Sequence, residues 1–412
     1  MIGRASIICL SSIDWSFNRQ NPQEVSLAFA ERGNRVLFVE NTGVRRATLR
    51  DAPRLWSRFL HWWQARGGVQ RVTPGIDVLS PLLLPFPYPR AAVFLNTRIL
   101  LRALRRWLGD DGGPLIVITF LPTPLAREVI DALDPALVVY YCIDRLAESS
   151  PSARRVVHSE RKLFAEADLV LVTAGVLYQA AAELTPRVHV IVSGVRVKAF
   201  EGARQSRAET HPAFTGLSRP IVGYVGSLRS STDIELLASA AKLAPDLQFV
   251  LAGPRSVDVT SLATQPNVRL LDAIPHEDVM NYMVRFDVGI LPYSINEFTA
   301  GIMPVKLKEY LAAGLPVVTT PLPEVRHFAE QHPGLVRFAG EPQEFVAALR
   351  AALADNAPGV VEHRLAAARQ YEWSDQMALM IELIEQALER RPSVARGFAR
   401  TVIGTVRETE WK

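Results

Sequence analysis

The apolar residues of this chain fall into short unbroken runs separated by helix-length stretches, and that rhythm occurs twice. The first set is Ser6–Leu10, Arg35–Val39, Asp77–Ser80, Leu115–Thr119, Leu137–Tyr141, Leu169–Val172 and Val188–Val192. The second is Ile221–Val225, Leu247–Leu251, Val268–Leu271, Val288–Leu291, Pro316–Thr319 and Leu335–Phe338. Runs of Val, Ile and Leu without two-residue alternation are the mark of strands covered on both faces, which predicts parallel sheets. The stretches between them read as helices. Pro22–Arg32, for example, stops at Gly33, a good helix terminator. Lys198–Ser218 interrupts the rhythm: it is polar, contains Gly202, Pro212 and Gly216, and reads as a linker. Two successive βα arrays predict an α/β protein with two doubly wound, Rossmann-like domains facing a cleft. The expected division is 1–205, 206–372 and a C-terminal helical segment, 373–412. Pro81–Pro89 holds four prolines in nine residues and cannot be regular structure.

Composition narrows the classes. With 412 residues, 49% of them hydrophobic and 21% charged, wholesale disorder is excluded and a large core needs no staples. Two cysteines, Cys9 and Cys142, give neither a disulfide framework nor a four-ligand zinc site, and fit a reducing compartment. No apolar run reaches the length of a membrane span, and Ile7–Leu10 is too short for a signal h-region, so the expectation is a soluble, cytoplasmic protein. The net charge of +4 is unevenly spread: residues 1–110 hold 16 Lys and Arg against 7 Asp and Glu. Within that basic quarter, Arg45–Arg66 places Leu49, Ala52, Trp56, Phe59, Leu60 and Trp63 on one helical stripe, with Arg46, Arg50, Arg54 and Arg58 off it. This is the profile of an interfacial helix that meets anionic lipid from the cytoplasmic side, or of a helix packed on the sheet with solvated arginines. Asn96–Leu108, with Arg98, Arg102, Arg105 and Arg106, has the same two readings. Nucleic acid is disfavoured, because the aromatics cluster on an apolar stripe instead of interleaving as stacking platforms.

The most informative segment is Asn296–Thr320, NEFTAGIMPVKLKEYLAAGLPVVTT. Gly301 gives a flexible loop. Pro304 suits the first turn of a helix that runs to Ala313 and stops at Gly314, and Pro316–Thr319 enters a strand. The helix N-terminus then points at a strand-end crevice, where free N–H groups near Pro304, from Val305 on, with the helix dipole, favour a diphosphate. Lys306 sharpens the point. A cation is disfavoured in the first helical turn, and its i+3 partner Glu309 stands in the weaker order for an ion pair. Only six lysines occur in the chain, and an anionic ligand explains one at this place. Glu309 can accept from vicinal hydroxyls such as those of a ribose.

PVKLKEYLAAGLPVV resembles the donor-binding motif of retaining glycosyltransferases of the GT-B fold, the group 1 or family 4 type. Three further stretches resemble that family: Ile221–Pro254, with GYVGS at the start of its second domain; AEADLVLVTAGVLYQAAAEL followed by VHVIVSGVRVKAF at the end of its first; and SSIDWSF with NPQEVSLAFAERGNRVLFVE, similar to a bacterial subgroup that includes teichuronic acid biosynthesis glycosyltransferases. The similarity touches most of residues 5–385 and is weakest over 42–110. It implies retaining transfer of a sugar from a nucleotide diphosphate donor to an acceptor hydroxyl of a glycan or glycolipid, without metal or cofactor. It also implies a C-terminal helix from Trp373 that crosses back to the first domain.

By that resemblance Glu309 binds the ribose, and the loop with Gly301 cradles sugar and diphosphate. Gly226 and Ser227 border the phosphates, Ile274 lies in a loop (LDAI) that packs on the nucleobase, and Lys306, Arg229 and the N–H groups near Pro304 and Val305 stabilise the leaving diphosphate. Two departures stand out. The family often carries a second Glu eight positions before the ribose-binding one, where this chain has Gly301. Many members also carry Arg directly after the glycine matched by Gly226, with Lys five residues later; here these are Ser227 and Thr232, leaving Arg229 to supply charge from a shifted position. These departures keep a second reading open, a non-catalytic partner subunit of a membrane glycan enzyme; a GT-B nucleotide-sugar epimerase is a third. Asp144, at the C-terminal end of the run LVVYYC, and Asp14, after the first strand, face the crevice in this topology. Each could orient or deprotonate an acceptor hydroxyl, or cap a helix. The clusters at His158 and His276 lack metal-pair spacing.

Overall fold

The computed structural model describes residues 4–16, 19–40, 42, 68–84, 86, 88–109, 113–149, 153–205, 211–355 and 357–390. The Arg45–Arg66 segment therefore lies outside the described residues. The strands form two sheets. The first comprises β1 (Ser6–Leu10), β2 (Arg35–Val39), β3 (Val69–Thr73), β4 (Ile76–Leu79), β5 (Leu115–Thr119), β6 (Leu137–Cys142), β7 (Leu169–Val172) and β8 (Val188–Val190). Their order is β3-β4-β2-β1-β5-β6-β7-β8. The second comprises β9 (Ile221–Val225), β10 (Gln248–Ala252), β11 (Val268–Leu271), β12 (Val288–Leu291), β13 (Val317–Thr319) and β14 (Val336–Phe338), in the order β11-β10-β9-β12-β13-β14. Strand order reverses between β1 and β5 and between β9 and β12. These are the two places where an open α/β sheet leaves a crevice at its strands' C-terminal ends.

All pairings are parallel except β3 with β4. β3 is absent from the sequence-based set because its residues Val-Gln-Arg-Val-Thr are half polar, with Gln70 and Arg71 exposed. It is an edge strand returning through a turn at Gly75, whose φ is +82°, and Arg71 pairs with Asp77 across the hairpin at 3.0 Å. In the second sheet, glycines admit aromatic rings. A β-carbon at Gly223 would stand 2.0 Å from the Phe286 ring and one at Gly289 would stand 2.5 Å from the Tyr310 ring.

The polar stretch after β8 is not a bare linker. A helix, Val197–Gln205, occupies its start, and Val197 and Phe200 are buried in the core of the second sheet. Gly202 is tolerated because it lies on the exposed face of that helix, with open space about it. The chain returns through the helix Trp373–Glu389, whose Met377, Met380, Ile381 and Ile384 pack with Val25 and Phe29 in the core of the first sheet. Each such fully buried side chain contributes about 1.5–3 kcal/mol. The two crossings touch: Val195 N–H donates to Tyr371 O at 2.8 Å and Trp373 N–H to Val195 O at 3.0 Å.

Candidate functional site

The helix Val305–Ala312 starts where the sequence motif places it, with Pro304 at the N-cap and Gly314 in the left-handed region beyond its end (φ +79°). No side chain caps its N-terminus. Its first N–H groups therefore stay open to a ligand at the mouth of the second crevice. Before it, Asn296 caps a short helix, Glu297–Ala300, by accepting from Thr299 N–H at 3.0 Å, so the loop up to Gly301 is ordered by local hydrogen bonds.

Lys306 points back across Gly226, the residue that follows β9. A β-carbon at Gly226 would stand 2.3 Å from Lys306 Cε and 2.8 Å from Nζ, and the glycine's φ is +156°. The missing side chain is what lets the lysine arm lie there. Its ammonium sits 5.5 Å from the centre of the Tyr224 ring, a favourable cation–π distance. Burial pulls its pKa down, but Tyr293, Tyr224 and Glu309 outweigh that and hold it above the usual lysine value, so it is charged at neutral pH. Glu309, one helical turn on, is half-buried. Burial raises its carboxyl and Lys306 draws it part of the way back. Neither Lys306 Nζ nor the Glu309 carboxylate has a hydrogen-bond partner among the described residues. A charged pair in a crevice with open bonding capacity is suited to an anionic, hydroxyl-bearing ligand.

The other expected residues surround this pair. Ser227 is half-buried and its carbonyl accepts from the Tyr224 hydroxyl at 3.2 Å. Arg229 is exposed at the rim, its Nε donating to Ser231 Oγ at 3.1 Å. Thr232 is buried and its hydroxyl accepts from Arg229 N–H at 3.4 Å, so it closes a turn and brings no charge to the site. Ile274 packs its side chain on the core of the second sheet, which leaves its backbone for any ring lying over it.

From the first sheet, Asp144 follows β6 and Asp14 follows β1. Neither caps a helix: the helix after β1, Asn21–Glu31, has Gln20 at its N-cap, and a 3-10 turn, Leu146–Ser149, follows Asp144. Burial raises the Asp144 carboxyl, and the charge of Arg229 from the other half opposes that. The residue after it, Arg145, reaches Gly301: a β-carbon there would stand 3.3 Å from its Cγ and Cδ.

Sequence reasoning missed several participants. Tyr224 and Tyr293 flank Lys306, and Tyr293 is buried. On the first sheet, buried Glu40 follows β2 and accepts from Trp15 N–H at 2.9 Å and Ser80 Oγ at 2.7 Å, lining a cavity of about 110 Å³ with Trp15, Gln70 and Ser80. Between the halves, Glu324 accepts from Gly175 N–H at 3.1 Å and Val176 N–H at 3.0 Å, at the open N-terminus of the helix Gly175–Ala182. Lys308, fully buried, donates to Ser193 O at 2.8 Å.

Against solved structures, sucrose-phosphate synthase from Thermosynechococcus elongatus matches with a TM-score of 0.69 at 18% identity, over 94% of this chain and 100% of that one. HepE from Anabaena, solved with UDP-glucose, matches with a TM-score of 0.63 at 13% identity, over 92% and 99% of the two chains. The fold is GT-B. Residues 219–355, which include Gly226, Arg229, Lys306 and Glu309, match the family described as glycosyl transferases group 1. Over 255 residues the chain is 28% identical to TuaH of Bacillus subtilis (strain 168), named for teichuronic acid biosynthesis and as a glycosyltransferase. That alignment takes in 58% of this chain and 64% of the relative, less than two thirds of its length. In this GT-B chain the basic pair and Glu309 belong to the half that the family match covers, whereas Asp14, Glu40, Asp144 and Arg145 come from the other half.

Proposed function

We propose that this GT-B protein is a retaining glycosyltransferase that moves a sugar from a nucleotide diphosphate to an acceptor hydroxyl in the synthesis of a bacterial cell-surface polysaccharide or glycolipid. The observation that carries the reading is the Lys306–Glu309 pair: a charged ammonium laid over Gly226, and a carboxylate with free lone pairs one turn further along. In this reading Glu309 accepts from the ribose hydroxyls. Lys306, the N–H groups of Val305 and Lys306, and Arg229 meet the diphosphate and stabilise the charge that grows on it as the glycosidic bond breaks. Removing one such preorganised donor typically lowers a rate by about a hundredfold or more. Gly226 and Ser227 let the backbone approach the phosphates, Gly301 and Pro304 border the sugar, and Ile274 offers its backbone to the base. Asp144, whose burial raises its affinity for a proton, accepts the proton of the acceptor hydroxyl, and Asp14 binds the acceptor. No cofactor enters; the nucleotide sugar is itself the substrate.

The finer parts of this reading have their own support. HepE has been solved with UDP-glucose and TuaH is named for teichuronic acid biosynthesis. Contact with an anionic membrane is supported by an exposed apolar patch on the basic half. Leu82, Leu84 and Phe86 lie along a strap held to the helix Arg90–Leu108 by Asn96, which bonds Leu84 N–H and O at 2.8 and 3.1 Å. Phe94, Leu95 and Ile99 are exposed on that helix beside Arg98 and Arg102.

The test is a thermal-shift panel of UDP, GDP, ADP and their hexose forms on the full chain, with Lys306→Ala and Glu309→Gln beside the wild type. At least one nucleotide is expected to raise the melting temperature of the wild type and to lose that effect in both variants. No shift with any nucleotide would favour a non-catalytic partner subunit instead.

A further inference from the structure

Among the described residues, Arg145 is a cation at this cleft that the reading above leaves without a task. It follows Asp144 in the loop between β6 and the turn Leu146–Ser149, and that turn packs against the short helix Glu297–Ala300 of the other half. Its side chain is half-buried and lies along Gly301. A β-carbon at Gly301 would meet Arg145 Cγ and Cδ at 3.3 Å and Nε at 3.6 Å. Gly301 is not demanded by the backbone, because its φ of −91° and ψ of 3° suit any residue. What the glycine does is leave room, and the arginine arm fills it.

The charge balance then matters. Asp144 already feels the charge of Arg229, and Glu309 that of Lys306. The Arg145 guanidinium has no hydrogen-bond or ion-pair acceptor among the described residues. A guanidinium offers five N–H donors and no acceptor, in a fork matched to the two oxygens of a carboxylate or phosphate. Hydroxyls of a neutral sugar need acceptors as well as donors, and here the side chain that could accept is replaced by one that cannot.

We propose that Arg145, seated on Gly301, binds a carboxylate or phosphate carried by one of the two sugars that meet in the cleft, and so makes this protein selective for an anionic sugar. The proposal rests on the nucleotide-sugar reading. Two sources supply the same chemistry, an acidic sugar on the donor and a phosphorylated acceptor, and two arms separate them.

The experiment is isothermal titration calorimetry on the full chain, as wild type, Arg145→Gln and Arg145→Lys. The donor arm compares UDP-glucose with UDP-glucuronate and GDP-mannose with GDP-mannuronate, with UDP and GDP alone as references. The acceptor arm compares glucose with glucose 6-phosphate in the presence of the bound nucleoside diphosphate. In one arm the wild type binds the anionic member at least tenfold more tightly than the neutral one. Arg145→Gln removes that preference while the affinity for the nucleoside diphosphate alone stays within twofold, and Arg145→Lys keeps part of it. A wild type with no anionic preference in either arm, or a preference that survives Arg145→Gln, overturns the proposal. In either case, binding of UDP or GDP to the wild type leaves the glycosyltransferase reading standing; absence of all nucleotide binding ends both.

Discussion

Gly226→Ala tests how closely the backbone and Lys306 are coupled. The new methyl would stand 2.3 Å from Lys306 Cε and 2.8 Å from Nζ. Carbon atoms rest at ~3.5–4.0 Å, so the ammonium arm has to move by more than about 1 Å. A shift of roughly that size in a positioning group can lower a rate or affinity by about a hundredfold, which is ~2.7 kcal/mol at about 1.36 kcal/mol per decade. The backbone adds its own term: a φ of +156° is unfavourable for alanine by about 1–3 kcal/mol, and that part appears in stability. Calorimetric titration of the preferred nucleoside diphosphate into Gly226→Ala, Lys306→Ala and the double variant separates the two. Each single variant is expected to bind roughly 10–100-fold more weakly. The double variant should be no weaker than the worse single, a coupling of ~1–3 kcal/mol. Losses that simply add in the double variant, or an affinity for Gly226→Ala within twofold of the wild type, would show that the lysine is not what the glycine accommodates.

Three more outcomes follow from contacts other than the Lys306–Glu309 pair. Burial pushes Lys308 from 10.5 down to about 7, so between those values the unfolded chain holds more protons than the folded one. Stability should therefore rise with pH across that window, by up to ~1.4 kcal/mol per pH unit. Urea unfolding at pH 6.5, 8 and 9.5 should show the rise, and Lys308→Met should abolish it. Glu324→Ala removes the carboxylate from the Gly175 and Val176 N–H groups. It should lower stability by about 0.5–2 kcal/mol and enlarge the radius of gyration in solution scattering; an unchanged radius would mean the contact does not hold the halves together. Phe94→Ser, Leu95→Ser and Ile99→Ser together should cut flotation with vesicles rich in anionic lipid while leaving nucleotide affinity intact, and full flotation would remove the apolar patch from the membrane reading.

What could be read from the sequence was what depends on near neighbours in the chain. Buried parallel strands announce themselves because covering both faces forces an unbroken run of Val, Ile and Leu, as in β1, β6 and β9. β3 escaped because, at the sheet's edge, neither face is fully covered: Gln70 and Arg71 are adjacent, point to opposite faces and are both exposed. The helix Val197–Gln205 was hidden by Gly202, which suggests a break only when burial is ignored. At the site, Lys306 and Glu309 were legible because their meaning lies in one helix: a cation at the wrong end and a carboxylate one turn on. Tyr293 and Arg145 were not, since their roles depend on side chains more than 10 residues away in the chain. Arg145 had a local hint in its place directly after Asp144, but nothing in the sequence indicates that it ends beside Gly301. Thr232 shows the converse. Its sequence position suggested a lost charge, and the structure shows a buried hydroxyl closing a turn.

The way the halves are joined bears on how such a site is assembled. The chain passes between them twice, at Ser193–Val197 and Tyr371–Trp373, and the two passages hydrogen-bond to each other as a single seam. Gly194 allows the closeness, since a β-carbon there would stand 2.6 Å from Trp373 Cα. Lys308 fastens the seam from the donor side through Ser193 O, and Asn21 fastens it from the other through Ser193 Oγ at 2.9 Å. Bonds this buried are costly to break, because each would leave a desolvated polar group behind. The Glu324 carboxylate is buried too, but it bonds the exposed Gly175 and half-buried Val176, and half-buried Arg145 lies against Gly301, so these two contacts between the halves border solvent. Parting of the halves is therefore expected to pivot on the seam and to separate these solvent-bordering contacts first. The residues expected to separate are those that the proposed transfer brings together: Asp144 and Arg145 on one side, Arg229 and Gly301 on the other. A substitution at the seam should thus weaken binding of donor and acceptor together, whereas one at Glu309 should weaken the donor alone.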